Sequence, residues 1–163
     1  MNGTAITNES ASKIVDLTCI NGTKFRAYAK NAKWNQDLQP DLIIPDINAD
    51  MIWETWMRPY EDPYCPARPA KQCYSATTLS ADVDDGTTYT WLETQDHSKW
   101  GVSSETSVPY TCIGDINRMT SQRKRGGGAA CLNNTLVNSM FLALIQEHDT
   151  CDNSTMSQFV PLQ

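Results

Sequence analysis

The sequence predicts an α+β fold in which a β-rich antiparallel body is covered by a C-terminal helix and linked by disulfide bonds. Three observations support this fold class: abundant Thr, Ser and Asn with five Trp, two turn dipeptides between strand-like runs, and one clear helical pattern. Only 20% of the 163 residues are charged, which is typical of a globular chain. We expect a single globular ectodomain over residues 14–163, preceded by a flexible polar arm at residues 1–13.

Turn dipeptides predict two β-hairpins. Asn21-Gly22 separates two strand-like runs in DLTCINGTKFRAYA, and Asp85-Gly86 separates TTLSADV from TTYTWLE. The segment SVPYTCIGDI is a further strand candidate. The proline-rich segment PYEDPYCPARPAKQCYS is expected to form a loop, because proline interrupts regular hydrogen bonding.

Two helices are expected. A short helix containing tryptophan is predicted at about residues 49–58, where Pro59 ends a broad stripe of apolar residues: Met51, Ile52, Trp53, Trp56 and Met57. An amphipathic C-terminal helix is predicted at about residues 134–148, with Asn133 or Asn134 as its cap. Its apolar face would consist of Leu136, Val137, Met140, Phe141, Leu144 and Ile145.

The cysteines predict three disulfides. They are dispersed along the chain without a Cys-x-x-Cys pair, which argues against structural zinc: Cys19, Cys65, Cys73, Cys112, Cys131 and Cys151. We expect Cys65 and Cys73 to bond locally or to anchor their loop to the body. The predicted C-terminal helix would be about 22 Å long, which disfavours a Cys131–Cys151 bond across its ends. We favour Cys112–Cys131 and Cys19–Cys151, although six cysteines allow about 15 arrangements and the others stay open.

Glycosylation sequons favour the same oxidising compartment. Five are present, at Asn2, Asn8, Asn21, Asn133 and Asn153. Together with the cysteines they predict a secreted protein or the extracellular face of a membrane or virion. Residues 1–13 contain no apolar signal-peptide core, so we expect the sequence to be the mature portion of a longer precursor. No apolar run approaches the length of a membrane span.

The segment QRKRGGG places three cations before three glycines and predicts an exposed basic, Gly-rich loop at residues 120–130. Arg123, Lys124 and Arg125 form a candidate processing site. Its Lys-Arg pair resembles dibasic convertase sites cut before Gly126, although Gln122 departs from the strict pattern. In outline the segment resembles fungal killer-toxin precursors and viral surface glycoproteins. Cleavage, a solvated loop and contact with an anionic ligand stay open.

Catalytic and metal-binding signals are weak. His97 lies near two carboxylates and His148 follows Glu147, but neither a Gly-x-Ser-x-Gly nor a His-Glu-x-x-His motif occurs. A calcium-like run beginning at Asp46 has Met51 where glycine is needed and Met57 where the bidentate glutamate is needed. We therefore expect no enzyme, no metal and no cofactor.

Recognition of another protein or a glycan is the function that these features favour. The expected partners are a protein or glycan receptor and a processing protease. Nucleic acid is excluded as a partner, because the formal net charge is −6 and phosphate binding needs a cationic face. One alternative is a secreted toxin or effector activated by dibasic cleavage. A second is a small secreted hydrolase that uses His97 or His148.

Overall fold

A computed structural model describes residues 11–152 and 157–158 of the chain. In this part the protein forms ten strands and two short α-helices, which confirms the predicted β-rich α+β class. The strands are β1 Ser12–Thr18, β2 Lys24–Lys30, β3 Met51–Thr55, β4 Cys73–Asp82, β5 Thr88–Leu92, β6 Lys99–Ser103, β7 Tyr110–Gly114, β8 Gly127–Asn133, β9 Ile145–His148 and β10 Ser157–Gln158. The α-helices are α1 Ile44–Ile47 and α2 Thr135–Leu142.

The strands form one sheet in the order β1-β2-β8-β7-β6-β3-β4-β9-β10, and β5 pairs with β4 away from this path. The β3–β4 pair is parallel, whereas the neighbouring pairs along the path are antiparallel. Both predicted hairpins are present as β1–β2 and β4–β5. Their turns place Gly22 and Gly86 at φ of 85° and 81°, a backbone region that glycine adopts without steric cost.

The centre of the sheet is buried on both faces. One apolar cluster includes Tyr28, Met51 and Trp53, and a second cluster includes Ile52 and Val102. Successive residues of β3 therefore point into two different cores, as expected for a strand that is covered on both sides.

The predicted helix at residues 49–58 is wrong, because Met51–Thr55 forms strand β3 and all five residues are buried. A short continuous apolar run fits a doubly covered strand as well as it fits a helical stripe. Gly101 of β6 lies beneath Trp53, and a Cβ atom at that glycine would overlap the indole ring. Because Gly101 has no side chain, β6 leaves room for Trp53, the bulky residue that the helix interpretation placed on a helix surface.

The C-terminal helix is shorter than predicted. Helix α2 ends at Leu142, and Ile145–His148 continues as β9 beside β4. Asn134 caps the helix by accepting a hydrogen bond from the Val137 N–H at 3.0 Å. Leu136 and Met140, assigned to the apolar face, are 69% and 62% exposed, whereas Asn138 faces the sheet and donates to two strand carbonyls.

The exposed loop predicted at residues 120–130 is shorter than expected, because its second half is a strand. A 3-10 turn covers Thr120–Lys124, and Gly127–Asn133 forms strand β8 between β2 and β7. A Cβ atom at Gly128 would overlap the Tyr28 carbonyl of β2. The glycines here permit close strand packing. The candidate processing residues come before the strand, and Arg125 is engaged through its backbone N–H and its carbonyl.

Two disulfides are present in the described residues, Cys65–Cys151 and Cys112–Cys131. The second joins residues that face each other directly in β7 and β8. The expected Cys19–Cys151 bond is absent because Cys65 in the proline-rich loop pairs with Cys151. Cys19 is exposed at the tip of the first hairpin, and Cys73 is buried. Burial raises the pKa of the Cys73 thiol to about 12, which keeps this thiol protonated and unreactive.

Several expectations fall on residues outside those that the structure describes. These are the arm at residues 1–10 and the sequons at Asn2, Asn8 and Asn153. Asn21 and Asn133 are described, and both are exposed. Strand β1 begins at Ser12, inside the segment assigned to the arm. In the described part of the chain no helix has the length and apolar character needed to cross a bilayer.

Candidate active site at one edge of the sheet

Three strand ends meet at one edge of the sheet. Strand β6 runs antiparallel to both β3 and β7, so its start lies beside the ends of those two strands. Lys99, the first residue of β6, pairs with Thr55, the last residue of β3. Asn117 follows shortly after β7. We call this edge, with His97, Lys99, Thr55 and Asn117, the site edge.

His97 is held immediately before β6. Its exposed imidazole stacks on the indole of Trp56, which directly follows β3, with ring centroids 4.9 Å apart and an interplanar angle of 25°. The Lys99 ammonium donates to the His97 carbonyl at 2.6 Å. These contacts hold an imidazole and a cation together at the surface. Such a pair can transfer a proton and stabilise an anion.

Asp96 fixes the turn that presents His97. Its carboxylate accepts from the Ser98 N–H at 2.7 Å and from the Trp91 indole N–H at 3.1 Å. Burial opposes ionisation of Asp96, but these hydrogen bonds outweigh it and lower the pKa of the carboxyl group. The Asp96 carboxylate therefore holds the turn that carries His97 in place.

Asn117 contributes a buried amide to the site edge. The residue is 8% exposed, and its Oδ1 has no hydrogen-bond partner among the described atoms. The next residue, Arg118, donates its backbone N–H to Thr55 Oγ1 at 3.3 Å. This contact ties the segment after β7 to the end of β3. The side-chain oxygen of Asn117 is thus an acceptor without a hydrogen bond in the described structure.

Arg118 anchors the loop that borders the site edge. Its buried guanidinium donates to the Glu61 and Asp62 carbonyls at 2.7 and 2.8 Å and to Ser75 Oγ at 2.5 Å. The Asp149 carboxylate lies 4.0 Å from the same guanidinium and also balances its charge. Because these acceptors already engage Arg118, we assign it to positioning the loop and not to binding.

Glu54 is a buried acid beneath the site edge. The side chain is fully buried, and neither carboxyl oxygen has a hydrogen-bond partner among the described atoms. Burial raises the pKa of Glu54 to about 8, with further contributions from Asp96 and Glu93, while Lys99 opposes the shift. Glu54 therefore carries its proton at neutral pH.

The two histidines considered from the sequence lie apart. His148 is in β9, where its ring packs against Tyr74 and its Nδ1 lies 2.6 Å from the Asp149 carbonyl. In the strand order, β9 is three steps from β6, which corresponds to about 14 Å along the sheet. The structure therefore does not combine His97 and His148 into one site.

Sequence reasoning missed Lys99, Asn117 and Trp56. A usable signal was the His97-x-Lys99 spacing, since an extended chain places residues i and i+2 on one face. Asn117 and Trp56 reach the site only through the strand order, which the sequence pattern does not reveal. Among the described residues, no group of three His, Cys, Asp or Glu side chains could hold a metal ion.

Comparison of the whole chain with known proteins gives matches to one family. The model of the family described as Deoxyribonuclease II matches residues 1–151. Deoxyribonuclease-2 of Caenorhabditis elegans is 38% identical over 125 residues, which cover 76% of this chain and 32% of the relative. Plancitoxin-1 of Acanthaster planci is 30% identical over 146 residues, which cover 90% of this chain and 40% of the relative. Deoxyribonuclease-2-alpha of Sus scrofa is 25% identical over 152 residues, which cover 93% of this chain and 41% of the relative.

The chain spans about a third to two fifths of the length of these curated relatives. The matches nevertheless overturn the expectation of a recognition domain without enzymatic activity, because the family is one of nucleases. The exclusion of nucleic acid as a partner is wrong for the same reason. The viral and binding-domain assignments are wrong too, and the glycoprotein assignment has no support from the family.

Overall acidity misled the interpretation of partners. A formal net charge of −6 describes the whole chain, whereas phosphate binding depends on the cations at one surface.

The secretory part of the predicted localisation agrees with the family, whose members are generally secreted or lysosomal, whereas a virion or membrane face has no support.

Proposed function

Because this chain belongs to the deoxyribonuclease II family, we propose that its site edge is part of a site that hydrolyses DNA phosphodiester bonds. The single observation that carries this proposal is the His97 imidazole stacked on Trp56 with the Lys99 ammonium anchored beside it. The relatives whose names specify a deoxyribonuclease support the choice of substrate.

His97 is the proposed reacting group. Hydrolysis adds water across one P–O bond, so a proton must leave the attacking oxygen and another must reach the departing oxygen. An imidazole exchanges protons near neutral pH, and it can also attack phosphorus itself. Stacking on Trp56 limits the ring to a narrow range of orientations, which favours reaction by reducing the entropy lost in alignment.

Lys99 is the proposed phosphate-binding group, and Asn117 is the proposed acceptor for the attacking water. The pentacoordinate transition state concentrates negative charge on the non-bridging oxygens, which an ammonium stabilises most strongly where water is scarce. Lys99 is half-buried, so its charge is less screened than that of an exposed lysine. The Asn117 side-chain oxygen can orient an attacking water by accepting a hydrogen bond from it.

An oxidising compartment is consistent with this function. Cys65–Cys151 joins positions 86 residues apart, and Cys112–Cys131 crosses two strands that lead to the site edge. Such bonds persist in secreted and lysosomal proteins and are rare in the cytosol.

The test compares two single histidine variants. His97→Ala should lower the rate of plasmid nicking by a factor of about 10²–10⁴, the range typical of a removed proton-transfer group. His148→Ala is the matched control, because it removes the other imidazole from β9, which is three strands away from β6 in the sheet, and it should keep the rate. Equal losses in both variants, or full activity of His97→Ala, would contradict the proposal. Label from radiolabelled DNA phosphate that stays on the protein after alkaline quenching and is released by acid would indicate attack by the imidazole, because a phosphoramidate is acid-labile, whereas direct attack by water would leave no label.

A further inference from the structure

The basic segment Arg123–Arg125 lies at the site edge. Strand β8 starts just after this segment, and Gly127 of β8 pairs with Lys30, the last residue of β2. Strand β8 also runs antiparallel to β7, so the start of β8 lies beside the end of β7. The ends of β2, β7 and β3 and the starts of β8 and β6 therefore share one edge.

The three cations of the segment differ in their partners. Arg123 lies 3.6 Å from Asp37 and 3.3 Å from Glu61, so carboxylates already balance its charge. Lys124 and Arg125 are exposed. In the part of the chain that the structure describes, neither has an ion-pair partner. Two cations thus remain open to an external anion beside the proposed phosphodiesterase site.

A buried lysine holds the segment in place. Lys30 is 5% exposed, and its ammonium donates to the carbonyls of Gln122, Arg123 and Arg125 at 3.2, 2.8 and 2.7 Å. All three donor positions of the ammonium are therefore used on one short stretch of backbone. The fixed backbone lowers the conformational entropy that Lys124 and Arg125 would lose on binding.

The spacing suits the backbone of DNA. Strands β6 and β8 are two steps apart in the sheet, so their axes are about 10 Å apart. Phosphates along one strand of B-DNA advance by about 3.4 Å per nucleotide along the helix axis. Two further cations beside the start of β8 would therefore meet phosphates of the same strand within a few nucleotides of the one at His97.

We propose that Lys124 and Arg125 bind the phosphates that flank the scissile one and so set the position of DNA along the site edge. This inference rests on the proposed function. It assigns the segment QRKRGGG to contact with an anionic ligand, and it explains how an acidic protein presents a local cationic surface to a polyanion.

Salt dependence of DNA binding tests the inference. Affinity for a 20-base-pair duplex would be measured by fluorescence anisotropy at several NaCl concentrations, in a His97→Ala background so that the DNA is not consumed. Lys124→Ala and Arg125→Ala should each reduce the slope of log K against log [NaCl] by about 0.9, and the double variant by about 1.8. Lys24→Ala is the matched control, because it removes one exposed cation at the opposite end of β2.

Each outcome decides one claim. Reduced slopes in the two basic-segment variants with an unchanged slope in Lys24→Ala support the inference. Unchanged slopes in all variants, or an equal reduction in Lys24→Ala, overturn it, because net charge alone would then account for the data. Continued cleavage in the His97→Ala background overturns the proposed function instead, whatever the slopes are. Circular dichroism of each variant confirms that the fold is retained.

Discussion

Two carboxylates in this protein illustrate opposite solutions to burial. Asp46 of α1 accepts from the Arg26 guanidinium at 2.5 and 2.7 Å and from the Tyr28 hydroxyl at 2.7 Å. Glu54 of β3 is more deeply buried and has no hydrogen-bond partner among the described atoms. The Arg26 hydrogen bond lowers the pKa of Asp46, whereas burial raises the pKa of Glu54 to about 8. Partners, and not depth alone, determine the protonation state.

The two groups affect stability in different pH ranges. Asp46 binds its proton more weakly in the folded protein, so its stabilisation is present above the unfolded pKa and is lost as pH falls through the folded pKa. Glu54 binds its proton more strongly in the folded protein, so its contribution is complete below about pH 4.5 and is lost as pH rises towards about 8. The Asp46 region therefore favours neutral pH, and the site edge favours acid.

Loss of the partnered carboxylate should lower the free energy of unfolding strongly at neutral pH. Asp46→Ala leaves Arg26 and the Tyr28 hydroxyl without their shared acceptor and should lower the free energy of unfolding by about 2–3 kcal/mol at pH 7. Urea denaturation measures this change. A loss below about 0.5 kcal/mol would show that water replaces the carboxylate at little cost.

Neutralising the unpartnered carboxyl group should change the pH profile. The contribution of Glu54 to wild-type stability should fall between about pH 4.5 and 8, by up to about 1.4 kcal/mol per pH unit. Glu54→Gln has no proton to lose and should flatten that part of the profile, whatever its absolute stability. Urea denaturation at pH 5, 6, 7 and 8 measures the slope, and identical slopes in both proteins would contradict the assignment.

The smallest effect is expected at the outer end of the Asp46 cluster. Asp16 also accepts from Arg26, at 2.9 Å, but its side chain is 71% exposed. Asp16→Asn should change the free energy of unfolding by less than about 0.5 kcal/mol, because water screens exposed pairs. This variant is the control for Asp46→Ala, since both remove a carboxylate from the same arginine. Equal losses would show that burial of the pair has no role.

Local signals predicted the local structures correctly. Asn21-Gly22 and Asp85-Gly86 define both hairpins, and Asn134 caps α2, because each depends only on backbone preferences of adjacent residues. Strands β3 and β8 were missed because they depend on contacts with neighbouring strands, which a local sequence pattern does not reveal. Trp53 fits over Gly101, and Gly128 fits against the Tyr28 carbonyl, which are contacts between distant parts of the chain.

The candidate site was only partly accessible from the sequence. His97 was identified as a candidate together with its nearby carboxylates, since these are adjacent along the chain. Lys99 follows His97 by two residues, whereas Trp56 and Asn117 reach the site through the order β7-β6-β3, which no periodicity encodes. The acidic composition also favoured the wrong partner, because a sum over the chain hides the two exposed cations beside the site.

The Cys112–Cys131 bond has a consequence for how the site edge can deform. The bond closes a ring that carries Asn117 and the basic segment, and its two cysteines face each other across β7 and β8. A slip of β8 by one residue would turn its side chains to the opposite face, and the covalent link forbids such a slip. Heat or acid can therefore loosen the ends of β7 and β8, but the covalent ring keeps the register that sets the distance between the Asn117 amide and the basic segment.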